Sequence, residues 1–137
     1  MVFLVHPGGP LWKNKDLESW SIPKGEFVYP EEPLYAALRE FEEETGQQII
    51  VKDFIELKAV RLKSGKIVYA WACQQDVDAD AIKSNTFSLE WPPKSGRFRD
   101  YPEIDKAGWF EVQEALQKIN PAQQSFIQEL ELKAGNP

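Results

Sequence analysis

The chain has 137 residues, 42% of them hydrophobic and 12% aromatic, which is one domain's length and enough apolar material for a real core. Its net charge of −6, from 22 acidic and 16 basic residues, argues against nonspecific binding to duplex nucleic acid, which needs a basic face. The longest unbroken apolar run, residues 67–73, is seven residues long, against the ~20 that cross a bilayer, so no membrane partner is expected.

In chain order, residues 2–5 read as a short strand stopped by the turn Pro7-Gly8-Gly9-Pro10, with no basic region ahead of it to make a signal peptide. Residues 13–18 form a polar loop, and residues 20–22 are extended because Pro23 biases its predecessor toward β. Leu34, Leu38, Phe41 and Thr45 recur at helical spacing, Pro33 suits a first turn and Gly46 a stop, so a helix is expected over about 32–46. Residues 49–51 and 54–61 read as strands, and 67–74 pairs with 54–61 across a Ser64-Gly65 turn. Residues 76–84 read as loop or a short turn, 86–91 as a strand ended by Pro92-Pro93, 94–102 as loop and 108–110 as a short strand. Val112, Ala115, Leu116 and Ile119 carry one closing helix, and Phe126, Ile127 and Leu130 another. Strands interleaved with a few helices give a mixed α/β layer fold.

Two residue counts narrow the chemistry. Cys73 is the only cysteine, so no disulfide forms within the chain; this fits a reducing cytoplasm, with Cys73 buried in an apolar strand. His6 is the only histidine, with no partner for a zinc site and no elbow motif around any serine. Catalysis, if present, falls to carboxylates acting through hard metal ions.

The 32–46 helix carries those carboxylates. Glu40, Glu43 and Glu44 are three and four residues apart and share one side, with Glu42 nearby and Arg39 the only base. Each like-charged pair costs roughly 0.2–0.5 kcal/mol, and acids near a helix C-terminus cost a further ~0.3–1 kcal/mol. A solvated acidic face and a carboxylate cage for Mg²⁺ both fit this spacing.

The wider pattern separates them. From Gly25, five residues lead to Glu31 and seven more to Arg39-Glu40-Phe41-Glu42-Glu43-Glu44-Thr45-Gly46. This resembles the Nudix hydrolase signature, Gly-x5-Glu-x7-Arg-Glu-U-x-Glu-Glu-x-Gly-U, with U a bulky apolar residue. All seven fixed positions match, a coincidence on the order of 10⁻⁸ per register. The last U is Gln47, a departure that touches packing after the helix rather than the acids.

The resemblance implies a single Nudix domain over residues 1–137, an α/β/α sandwich with a mixed β-sheet. That family usually has a full strand ahead of the segment matching residues 2–5, so this chain is expected to lack it. It implies Glu40, Glu43 and Glu44 as ligands of Mg²⁺, or Mn²⁺, with a backbone carbonyl near Gly25. One of these three, Glu43, Glu40 or Glu44, or a loop acid such as Glu90 or Glu103, would deprotonate water, and Arg39 would pair with Glu31.

Trp20-Ser21-Ile22-Pro23-Lys24-Gly25 resembles the lead-in of Nudix enzymes acting on dinucleoside polyphosphates and diphosphoinositol polyphosphates, with Lys24 a phosphate clamp. Arg97, in the basic stretch Lys94-Ser95-Gly96-Arg97-Phe98-Arg99, would reach outer phosphates, a solvated loop being the competing reading. Trp12, Trp91 and Tyr101 are candidates to stack on a base, whereas Trp71 and Trp109 belong in the core. The activity implied is Mg²⁺-dependent hydrolysis of a diphosphate in a small-molecule nucleotide, a dinucleoside tetraphosphate first. Alternatives are a nucleoside triphosphate pyrophosphohydrolase, or one acting on diphosphoinositols or RNA 5′ ends. A non-catalytic nucleotide-binding Nudix module is a fourth, disfavoured because the acids are kept. The sequence sets no oligomeric state.

Overall fold

A computed structural model describes residues 1–24 and 30–134. β1 (Val2–Pro7) is a run of bulky apolar residues that pairs antiparallel with β6 (Ile104–Phe110). β2 (Ile55–Arg61) and β3 (Ile67–Ala72) make the hairpin expected around Gly65, whose φ of 91° suits only glycine comfortably. β4 (Thr86–Glu90) and β5 (Phe98–Pro102) make a second hairpin. Three helices complete a mixed α/β fold with small antiparallel sheets: α1 (Pro33–Thr45), α2 (Val112–Lys118) and α3 (Gln124–Ala134). Among the described residues, parallel pairing is confined to the bridge between Trp20 and Ile119.

α1 ends where its sequence says. Pro33 occupies the first turn after Glu32, and Gly46 turns left-handed (φ 74°) and donates its N–H to Glu42 O at 2.7 Å. The apolar face of α1, with Leu34, Leu38 and Phe41, lines a cavity of about 220 Å³ shared with Phe3, Trp71 and Trp109. So apolar a space offers a phosphate nothing, which leaves the polar face of α1 for chemistry.

Four expectations need correction. Residues 49–51 are not a strand, because Gln75 Oε1 accepts the N–H groups of Ile50 (2.8 Å) and Val51 (3.3 Å) in place of a ladder. The 94–102 loop is strand from Phe98 on; its side chains are mostly exposed, so no apolar alternation marks it. The last strand begins at Ile104, four residues earlier than expected, its charged start hidden by Asp105 and Lys106. Cys73 lies just past β3 and is exposed rather than buried, although partial burial by its neighbours raises its thiol pKa.

The core joins β1 to the closing helices through Leu4, Trp20, Ala115, Ile119 and Ile127. His6 belongs to this structural core. It is fully buried, with Nδ1 2.8 Å from Asp105 Oδ1 and Nε2 2.6 Å from Lys15 O, and its ring stands edge-on to Trp20. His6→Ala leaves a cavity in the core and takes away the ring partner of Lys15 O, so a loss on the order of 2–4 kcal/mol is expected. A urea midpoint lowered at constant slope would register it. An unchanged midpoint would contradict this structural role.

Candidate active site

Arg39 organises the polar face of α1. Its Nε and Nη2 donate to the two oxygens of Glu31 at 2.9 and 3.0 Å, the fork geometry in which an arginine grips a carboxylate. Its Nη1 donates to Glu40 (3.0 Å) and to both oxygens of Glu43 (3.2 Å). The hydrogen-bonded Glu31 carboxylate therefore holds the guanidinium above its ordinary pKa. The eight-residue spacing of Glu31 and Arg39 in sequence is this clamp in space.

Glu44 points the other way, inward, and is 8% exposed. One oxygen accepts the Lys24 N–H at 2.9 Å. Burial pushes its carboxyl up to about 8; the Lys24 N–H and side-chain charge oppose the rise, while Glu40 and Glu103 add to it. Burial also raises Glu40, helped by the nearby charge of Glu43 and opposed by Arg39. Lys24, exposed at the end of the Trp20–Lys24 lead-in, thus has its backbone N–H at the acidic cluster. Gly25 lies outside the described residues.

Glu103 is the residue that sequence reasoning could not single out. It sits half-buried in the bend between β5 and β6, about sixty positions from α1. Its N–H donates to Asn85 O (2.8 Å), and the Asn85 N–H donates to Glu43 O (2.9 Å), which sews the bend to the end of α1. Its charge is felt by both Glu40 and Glu44. Glu90, the other loop acid considered, does something else: its oxygens accept the N–H groups of Lys94 (2.9 Å) and Gly96 (3.2 Å) and shape the tip of the β4–β5 hairpin.

The hairpin separates the two remaining candidates. Tyr101 lies near its root, its ring 6.1 Å from that of Phe87. Arg97 lies in the tip, beyond a five-residue ladder of about 17 Å. Neither makes a hydrogen bond to the carboxylates of α1. Trp12, 36% exposed, has Lys15 Nζ 4.9 Å from its ring, and Trp109 donates Nε1–H to Val77 O at 2.7 Å on the core side.

Among the described residues, no three acidic, histidine or cysteine side chains converge into a ready ligand set, since Glu40 and Glu43 turn onto Arg39 and Glu44 onto a backbone N–H. The chemistry of the donor set nonetheless fits a hard divalent cation. Glu31, Glu40, Glu43, Glu44 and Glu103 supply only oxygens, and Arg39 and Lys24 are the cations among them. A buried acid with a single N–H partner is costly to ionise until positive charge arrives.

The NUDIX domain family model matches residues 2–130. The chain belongs to the Nudix family. Membership makes it, in general terms, a nucleotide-diphosphate hydrolase of the pyrophosphohydrolase type, in a family that generally uses divalent metals such as Mg²⁺ and small-molecule nucleotides. No curated protein matches the sequence. No helix among the described residues of this Nudix chain is long and apolar enough to cross a membrane.

Proposed function

We propose that this Nudix protein is a Mg²⁺-dependent pyrophosphohydrolase, with Mn²⁺ able to substitute, that cleaves a diphosphate linkage in a dinucleoside tetraphosphate in a reducing cytoplasm. The observation that carries the reading is buried Glu44, grouped with Glu40 and Glu103 beyond what Lys24 and Arg39 neutralise. Glu40, Glu43 and Glu44 would hold the cation. When bound, that cation offsets phosphoryl charge and makes a water more acidic. Arg39 keeps Glu31, Glu40 and Glu43 in register. Glu43, the most exposed of the three acids at 38%, accepts the proton of the attacking water.

Lys24 binds phosphate beside the cluster. Tyr101 at the hairpin root and Arg97 at its tip bind the outer part of the substrate. A tip about 17 Å from the root favours a long substrate over a nucleoside triphosphate. Lys24→Ala is expected to raise KM about tenfold with kcat within about twofold, because it removes binding energy common to ground and transition states. Collapsed kcat with unchanged KM would contradict the clamp.

The substrate reading is tested by kcat/KM for diadenosine tetraphosphate, ATP, a diphosphoinositol polyphosphate and a 5′-triphosphorylated RNA under one Mg²⁺ condition. Preference for the dinucleotide supports it, and a clear preference for any other overturns it.

A further inference from the structure

The turn after β1 is held at both ends and carries exposed side chains between them. At its start the Gly8 N–H donates to Glu103 O at 2.9 Å. A Cβ placed on Gly9 would lie 3.1 Å from the Phe87 ring, so the turn packs on the root of the β4–β5 hairpin. At its far end Lys15 O is 2.6 Å from Nε2 of fully buried His6. Between these anchors Leu11 is 59% and Trp12 36% exposed, Lys13 and Lys15 are exposed, and Lys15 Nζ stands 4.9 Å from the Trp12 ring. A ring fixed in place beside two cations, in a chain of net charge −6, is the composition that holds a base and its phosphate.

The hairpin face on which this turn packs continues the pattern. Phe87 stands opposite Tyr101 and Leu89 opposite Arg99, and because side chains alternate along a strand these four share one face. Glu90, opposite Phe98, and Asp100, opposite Ser88, belong to the other face. The acids of the hairpin are thus sorted away from exposed Arg99.

The geometry points to a nucleoside subsite at the root of the β4–β5 hairpin, with a base stacked on Trp12 and its adjoining phosphate held by Arg99. This deepens, and rests on, the reading of α1 as the hydrolytic centre. The Asn85 N–H, one residue before β4, donates to Glu43 O at 2.9 Å and so fixes the hairpin root at the end of α1. Trp12 and Arg99 thereby select a substrate that carries a base and take no part in the chemistry. A bare polyphosphate gives Trp12 nothing to stack on.

The test is titration calorimetry on the full chain with Ca²⁺ in place of Mg²⁺, folding being checked by melting. The ligands are diadenosine tetraphosphate and inorganic tetraphosphate, which has no base. Trp12→Ala is expected to weaken the dinucleotide about tenfold, the scale of a lost base stack, and to leave inorganic tetraphosphate within about twofold. Trp12→Phe keeps a stacking face and should restore most of the loss. Arg99→Gln is expected to weaken both ligands about tenfold, as loss of a charged phosphate partner does. Equal weakening of the two ligands by Trp12→Ala, an unweakened dinucleotide, or unchanged binding in Arg99→Gln would overturn the inference. If Trp12→Ala does not fold, Trp12→Leu replaces it, with the same results expected and the same results fatal. The two levels separate in one comparison. A dinucleotide cleaved with Mg²⁺ whose binding ignores Trp12 and Arg99 overturns this inference and leaves the α1 reading standing. Base-dependent binding through Trp12 without cleavage overturns the α1 reading and leaves the subsite. Absence of both overturns both.

Discussion

Glu43→Gln is expected to lower turnover by at least ~10²-fold, the scale of a lost general base, while the melting temperature changes little. Glu43 combines 38% side-chain exposure with a shared Arg39 donor at 3.2 Å, so its amide analogue keeps a partner and the fold loses no buried contact. What it loses is the negative charge that, in the proposed function, would meet water and cation. An amide neither accepts a proton from water nor holds a hard cation as a carboxylate does. The check is kcat at saturating Mg²⁺ beside a melting curve. Full activity in the variant would contradict the assignment of α1, and a collapsed melt would make Glu43 a structural residue.

The second large effect is a dependence on pH whose direction the cation reverses. Folded Glu44 holds its proton up to about 8, against an ordinary value of 4.5. Between those limits the folded protein keeps a proton that the unfolded chain has released, so without metal, stability falls as pH rises from about 5 to 8. Burial-raised Glu40 acts in the same sense. Asp16, lowered by its hydrogen bonds to Lys118 and Trp20, and Glu129, lowered by Lys133, act only at lower pH, where their stabilisation is lost as pH falls. Glu44→Gln should flatten the decline. Mg²⁺ should stabilise more at pH 8.5 than at pH 5.5, since it requires the ionised acid and displaces the proton. Urea midpoints at three pH values, with and without Mg²⁺, measure both. A metal-free stability that rises across this window would contradict the buried, protonated Glu44.

How far the sequence reached depends on whether a feature is local. α1 was legible because Pro33 and Gly46 punctuate it and its apolar spacing is helical; the Arg39–Glu31 pairing was implied by the resemblance to the Nudix signature. Where a contact joins distant segments, pattern failed. Nothing near residues 49–51 announces that Gln75 will take their N–H groups. Nothing in Phe98–Pro102 carries an apolar face, because the β4–β5 hairpin leaves most of it in solvent. Glu90 and Glu103 looked alike as loop acids, and only the folded chain separates them: one caps its own hairpin tip, while the other is carried to α1 by Asn85. Arg97 and Tyr101 lie four positions apart, yet the hairpin puts one at its tip and the other near its root.

The most direct measurement is chromatographic product analysis after incubation with diadenosine tetraphosphate and Mg²⁺, with and without EDTA. ATP and AMP formed with Mg²⁺ and abolished by EDTA are the expected result. Cleavage that survives EDTA, or no cleavage of this or any other diphosphate substrate, would contradict a cation-dependent hydrolase built on Glu40, Glu43 and Glu44.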